Sequence, residues 1–124
     1  MEKYSISQVA GKYGLETYTL RFYEKEGILQ PKRSPGGVRI YTREDLDRLE
    51  MALCLKNTGM TLKEIRQYFQ LVAQGDAALE QQLKIFEAHL ERIQREIKRM
   101  EESMAVITGK IEKTRQAIWE QEGK

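Results

Sequence analysis

Tyr18, Arg21 and Lys25 stand three and four residues apart, and Lys32, Arg33, Arg39 and Arg43 follow soon after, with Tyr23 and Tyr41 interleaved. These side chains suit one kind of chemistry. A guanidinium offers paired donors to guanine or phosphate, an ammonium offers a point charge, and a phenol hydroxyl bonds phosphate oxygens. On a lone helix such a stripe reads as solvated surface. Basic residues on an element that flanks the same helix reverse that preference, because together they can clamp a polyanion. Other chemistry is poorly supplied. The chain has one Cys, Cys54, and one His, His89. Two such ligands cannot build a metal site within one chain, and one thiol excludes an intramolecular disulfide framework and fits the cytosol. No nucleophile–base pair or phosphate-cradling glycine loop is present, so no catalytic residue, enzyme activity, metal or cofactor is expected.

Charge is unevenly distributed. The net charge is +2, but residues 12–43 carry seven Lys/Arg against three Glu, a local +4, while residues 76–124 carry nine basic and ten acidic residues, a local −1. That contrast suits an anion-binding head on a near-neutral helical handle. The N-terminus lacks the apolar core of a signal peptide, and no run of 18 apolar residues is found, so neither export nor a membrane span is expected and the location is cytoplasmic.

The elements that must position the basic stripe can be read from periodicity. Ile6, Val9, Ala10 and Tyr13 form one face of a short helix, with Ser5 and Gln8 as a capping box and Gly14 as its left-handed stop. Thr17 is expected to cap a second helix running to Glu26, closed by Gly27. Two short helices around a tight turn read as helix-turn-helix. Ile28–Gln30 and Val38–Tyr41 read as two strands around a Pro- and Gly-containing loop, a basic hairpin of the kind that forms a DNA-binding wing. Thr42 and Thr61 each open a capping box, for helices over 43–58 and through Ala73. In the first, Leu46, Leu49 and Leu53 make one apolar face and Met51, Cys54 and Leu55 a second. In the other, Leu62, Ile65, Phe69 and Val72 face the core. Gly75-Asp76 is the expected break, dividing a domain over 1–75 from a helix over 76–124.

That last segment changes character. Leu79, Leu83, Phe86, Leu90, Ile93, Ile97, Met100, Met104, Ile107, Ile111, Thr114 and Ile118 are spaced alternately four and three apart, and eleven of the twelve are apolar. A seam roughly 60 Å long cannot bury its stripe alone. Folding back as a hairpin is disfavoured, because only Gly109 interrupts the run. Pairing with a second copy is expected, parallel or antiparallel. His89, between Phe86 and Leu90, falls on a partly solvated flank, and Trp119 is expected to pack at the seam's end.

Thr19 to Leu29, T-L-R-F-Y-E-K-E-G-I-L, resembles the T-L-R-Y-Y-E-x-x-G-L-L motif of the MerR family of transcriptional regulators. Gly37-Val38-Arg39-Ile40-Tyr41 is similar to that family's G-Y-R-x-Y wing motif. Phe22 and Val38 each replace a tyrosine, and Glu16 stands where a small capping residue is common. The resemblance implies a homodimer that binds a two-fold symmetric operator in double-stranded promoter DNA. On a signal, it bends and untwists the spacer so that RNA polymerase is engaged indirectly. Metal-responsive relatives carry cysteines near the end of the dimerisation helix; residues 111–124 hold none. Drug-sensing relatives append a C-terminal ligand domain for which this chain is too short. Residues 54–60 resemble the single-cysteine, aldehyde- and nitrosothiol-responsive branch, the NmlR/AdhR type. Two readings of Cys54 stand side by side: a reporter on the dimer interface, with Arg48 and Lys56 able to lower its pKa, or an inert small hydrophobe.

The sequence therefore predicts a mainly α protein: a winged helix-turn-helix head with a small β-hairpin, followed by a long coiled-coil dimerisation helix, acting as a DNA-binding regulator. A repressor without an effector, and a coiled-coil adaptor whose basic head meets a protein or membrane surface, are the competing readings.

Overall fold

The computed structural model describes residues 2–123 of the chain. Two compact units divide between Leu83 and Lys84. The first begins with β1 (Lys3–Tyr4), then α1 (Ile6–Tyr13) and α2 (Thr17–Lys25). Ser5 and Gln8 form the reciprocal capping box, and Gly14 closes α1 at φ 65°. That left-handed turn lets the Gly14 and Leu15 N–H groups donate to the Ala10 carbonyl and reverses the chain within three residues. Val9 and Ala10 are buried and Ile6 and Tyr13 half-buried, as the α1 period requires. The start of α2 differs from expectation. Thr17 is its first helical residue, and the N-cap is Glu16, whose side chain makes no capping bond.

The wing also differs. Its strands are β2 (Lys32–Arg33) and β3 (Arg39–Thr42), joined by a tight turn in which the Gly37 N–H donates to the Ser34 carbonyl at 2.8 Å, with Gly37 at φ 83°. Ile28 and Leu29 are not strand residues. Both are buried as apolar plugs under the end of α2, and their N–H groups donate to the Tyr23 carbonyl. Burial on every side suits an apolar pair that an alternating strand would have half-exposed. Moreover, β3 is central: β1 pairs with its other edge, Tyr4 opposite Tyr41, giving an antiparallel sheet in the order β1-β3-β2.

Two further helices complete this unit: α3 (Arg43–Asn57) and α4 (Leu62–Val72), each opened by its Thr capping box. On α3 the apolar faces are redistributed. Leu46, Leu49, Ala52 and Leu55 are buried, Leu53 is half-buried, and Met51 and Cys54 are exposed. Leu55 lies about 180° round the helix from Leu46, so α3 is covered on two sides, and of the expected second face only Met51 and Cys54 are exposed. On α4, Ile65 and Phe69 are buried, whereas Val72 is 41% exposed. Arg48 ties the unit together. Its guanidinium donates to the carbonyls of Ile28 and Gly27, the segment ending α2, and lies 4.4 Å from the centre of the Phe69 ring. Burial lowers its pKa and Asp45 opposes that shift, but a guanidinium stays charged. A short 3-10 turn, Gly75–Ala78, follows α4 and buries Ala78.

The second unit is the bulk of α5, a 44-residue helix from Leu79 to Glu122, about 66 Å long at 1.5 Å per residue. Leu83, Leu90, Ile97, Met100, Met104, Ile107, Ile111 and Ile118 of its seam are exposed, as is Trp119. His89 is the exception to the expected pattern. It is buried rather than half-solvated, with its Nδ1 at 2.5 Å from an Arg92 guanidinium nitrogen. No helix among the described residues is long and apolar enough to cross a membrane.

One bond between α1 and α3 has a pH signature. The Tyr13 hydroxyl donates to Glu50. Burial, then this hydrogen bond and the carboxylate's charge, push the phenol pKa up from 10.0 to about 12. The folded state therefore holds the proton more tightly than the unfolded one. This contribution to stability is complete below pH 10 and disappears as the pH rises through about 12. Tyr13→Phe should lose less stability than the wild type across that interval in urea melts; superimposable pH profiles would refute the tether.

Candidate nucleic-acid interface

The surface built by α2 and the wing is where the expected anion-binding residues are to be tested. On α2, Leu20 and Tyr23 turn inward and are buried, which leaves Tyr18, Arg21, Phe22 and Lys25 outward. Tyr18 is 69% exposed and Phe22 46%. The polar stripe read from the 3.6-residue period therefore stands on the solvent side of a helix held from beneath.

Of the nine residues expected to bind DNA, two are not on that surface. Tyr23 is 5% exposed and Tyr41 1%. Tyr23 lies five residues after Tyr18, which turns its ring by about 140° from the stripe and into the core. Tyr41 sits at the centre of the sheet, opposite Tyr4. Its hydroxyl is buried and, among the described residues, has no hydrogen-bond partner. Burial, and secondarily the charge of Glu24, push its pKa up. A sealed hydroxyl does not reach a phosphate, so the clamp role expected of Tyr41 is corrected to one of packing.

The wing cations are organised by a carboxylate on α2. In the β2–β3 ladder Arg33 lies directly opposite Arg39. Like charges in that position repel. Glu24 of α2 resolves the conflict with one carboxylate: Oε1 accepts from Arg33 Nη2 at 3.1 Å and Oε2 from Arg39 Nε at 2.5 Å. Arg33 also donates Nη1 to the Gly37 carbonyl at 3.0 Å, across the tip of the turn. Glu24 and Arg39 are each about three-quarters covered, where an ion pair is screened less than at an open surface. The hairpin is thus fastened to α2, and two guanidiniums are held beside the stripe. The spacing of Arg33 and Arg39 across a tight turn was the available signal for Glu24, but it depends on a strand register that the sequence alone had shifted toward Ile28.

Lys32 is exposed at the edge of the sheet. Arg43 is exposed and pairs with Asp47 at 3.4 Å, a contact of little energetic weight at the surface. Glu26, one turn beyond Phe22, pairs with Arg66 of α4, which fixes the far end of α2. Val38 is 63% exposed at the wing tip with no polar group to offer.

Cys54 lies elsewhere, on the exposed side of α3. Neither basic neighbour in sequence attends it. Arg48 is committed to the Gly27 and Ile28 carbonyls, and Lys56, two residues on, is about 160° round the helix. The inert-core reading is not what a single chain displays, since the thiol is open to solvent. Among the described residues no group of three or more His, Cys, Asp or Glu is placed to hold a metal ion.

Comparison with known proteins gives a consistent picture. Residues 4–71 match the family model described as MerR HTH family regulatory protein, and residues 46–110 match that described as MerR, DNA binding. An uncharacterised HTH-type transcriptional regulator of Haemophilus influenzae is 36% identical over 109 residues, covering 87% of this chain and 81% of that one. The HTH-type transcriptional regulator AdhR of Bacillus subtilis is 34% identical over 90 residues, covering 72% of this chain and 64% of that one. The crystal structure of HiNmlR, a MerR family regulator lacking the sensor domain, bound to promoter DNA, superposes with a TM-score of 0.72 at 35% identity, covering 89% of this chain and 88% of that one.

The Glu24 bridge generates a prediction. Glu24→Gln removes the carboxylate that competes with phosphate for Arg33 and Arg39. Binding to random-sequence DNA should strengthen several-fold at low salt, and the log–log salt slope should steepen by about one unit. Discrimination between operator and random DNA should narrow, because the wing is no longer fastened. Fluorescence anisotropy across a salt series reads all three, and an unchanged slope would show that the bridge does not hold back the wing cations.

Proposed function

The chain belongs to the MerR family of helix-turn-helix transcriptional regulators, and from that premise we propose how its own residues bind promoter DNA and receive a signal. Residues 1–75 form the DNA-binding head and residues 76–124 the dimerisation helix. In the head, α2 enters the major groove with Arg21 toward base edges and Tyr18 and Lys25 toward the flanking backbone. Lys32, Arg33, Arg39 and Arg43 meet phosphates from the wing and the start of α3. The observation that carries this reading is the coincidence of an exposed Tyr18–Arg21–Lys25 stripe with a hairpin whose arginines are fastened to the same helix through Glu24. No catalytic residue is assigned, and the site of action is promoter DNA in the cytoplasm.

A second copy covers the seam. Leu79, Leu83, Phe86, Leu90, Ile93, Ile97, Met100, Met104, Ile107, Ile111 and Ile118 supply an apolar stripe of which all but Ile93 are exposed in one chain. Exposed apolar surface on that scale marks an interface. A two-fold dimer then reads a symmetric operator, and deforming the DNA between half-sites takes on the order of 1–6 kcal/mol, offset by contacts to both heads.

The signal acts at Cys54. The thiol is exposed, so an electrophile reaches it without opening the core, and residues 54–60 resemble the single-cysteine branch of the family. Since neither Arg48 nor Lys56 lies beside it, this reading rests on access rather than on activation by a neighbouring cation. An adduct beside exposed Met51 adds bulk to a face of α3 available to a dimer partner, and packed interfaces answer added volume by changing between discrete arrangements.

Two variants test the reading. Arg21→Ala should weaken operator binding by about 1–3 kcal/mol per half-site, with two chains bound per operator in the wild type. Wild-type affinity in Arg21→Ala, or one chain per operator, would dismiss the docking. Cys54→Ser should hold operator affinity within a few-fold while losing the transcriptional response to formaldehyde, methylglyoxal or nitrosothiols. Mass spectrometry of treated wild type should place the adduct on Cys54, and an undiminished response in the variant would remove the thiol from the mechanism.

A further inference from the structure

A cavity beside α2 shares only Phe22 with the outward surface described so far. Its volume is about 190 Å³, and it lies within the first unit, between α2, α3 and the start of α4. Phe22 and Tyr23 of α2, Ala52 and Lys56 of α3, and Met60 and Ile65 at the approach to α4 supply most of its wall. Lys56 and Tyr23 are the two lining residues that carry a polar side-chain group. Tyr23 is 95% covered. Among the described residues neither of these polar groups has a hydrogen-bond or ion-pair partner in the chain.

Size narrows the occupant. An apolar cavity of roughly 150 Å³ admits benzene, whereas drug-sized ligands need roughly 300 Å³ or more. About 190 Å³ fits one six-membered ring with a short substituent. Charge narrows it further. Lys56 is exposed at the mouth, and a cation beside an apolar wall is best matched by an anion that it can pair while the ring goes inside. We propose that this cavity binds a small aromatic monocarboxylate the size of benzoate, its ring against Phe22, Met60 and Ile65 and its carboxylate on Lys56, with the Tyr23 hydroxyl donating a second bond.

Such a ligand sits where α2 docks on α3 and α4. Phe22 and Tyr23 belong to the helix that carries Arg21, so the occupied cavity favours one setting of that helix over others. Cys54 has no part in this, since it lies about 160° round α3 from Lys56. The site and the thiol are separate inputs, and either can exist without the other.

The full chain titrated with sodium benzoate, followed by heteronuclear NMR and thermal melts, tests the site. Benzoate at millimolar concentration should shift the amide resonances of Phe22, Lys56 and Ile65 and raise Tm. Lys56→Met keeps the apolar stem and removes the charge. It should bind benzoate at least about 10-fold more weakly, the equivalent of one charge-assisted hydrogen bond, while binding uncharged toluene as the wild type does. Ala52→Leu fills the cavity and should bind neither, with its ligand-free melt showing that it is folded; should it fail to fold, the Lys56→Met comparison decides alone. Cys54→Ser should bind benzoate like the wild type, so a failed thiol response leaves this result standing. Absence of benzoate-dependent shifts at those three residues, or equal benzoate affinity in Lys56→Met and wild type, overturns the proposal.

Discussion

Two arginines face each other across a two-stranded ladder, and a single carboxylate from a helix makes the arrangement tenable. Without Glu24, Arg33 and Arg39 repel at the point where the hairpin must hold its register. With it, the repulsion becomes a three-way bridge that also joins the hairpin to α2. The rest of the interface follows from that junction. The wing cannot swing away from the stripe without separating charges that are largely covered, and the stripe cannot rotate without moving Glu24, which lies three residues beyond Arg21 on the same helix. The consequence for DNA is a compromise. In the proposed docking the carboxylate lowers the local positive potential, yet it positions the guanidiniums before the phosphate arrives. Pre-positioning lowers the ordering cost of binding.

Further bonds hold the same C-terminal end of α2 just beyond Glu24. Arg48 satisfies two backbone carbonyls where the chain leaves the helix, lies over Phe69, and so connects α2, α3 and α4 through one side chain. Arg66 reaches back to Glu26. The C-terminal end of α2 is therefore held by Glu24, Glu26 and the Gly27–Ile28 carbonyls, and the helix is buried beneath by Leu20 and Tyr23. Beside α2 lies the small cavity bounded by Phe22 and Lys56. Packed interiors leave few such spaces, and this one adjoins the helix that carries Arg21.

The long helix makes a different kind of demand. Within the first unit apolar side chains find partners in the same chain: Val9, Leu20, Ile28, Leu29, Leu46 and Leu49 are almost fully covered. Along α5 the stripe from Leu79 to Ile118 finds little, and His89, the one polar residue buried there, is engaged by Arg92. A helix takes most of its stability from packing its apolar face rather than from propensity, and α5 has little of its stripe covered within one chain. Covering the stripe therefore serves both the helix and its solubility. That need makes α5 a promise of assembly rather than part of a monomer's core.

Local chemistry determined much of this protein from sequence alone. The capping boxes at Ser5, Thr42 and Thr61, the left-handed Gly14, the outward stripe on α2 and the unbroken period of α5 each depend on residues within four positions of one another, and such interactions are written directly in the chain. Only the tertiary structure decided which tyrosines were walls and which were surface, that Ile28 and Leu29 plug the core instead of pairing as a strand, that Leu55 is covered while its neighbour Cys54 turns to solvent, and that Glu24 serves two arginines from another element. The physical reason is common to all four. A helix turns 100° per residue and a strand alternates faces at every residue. A shift of one position in register, or a modest rotation of one element on another, exchanges buried for exposed, and long-range packing sets that rotation.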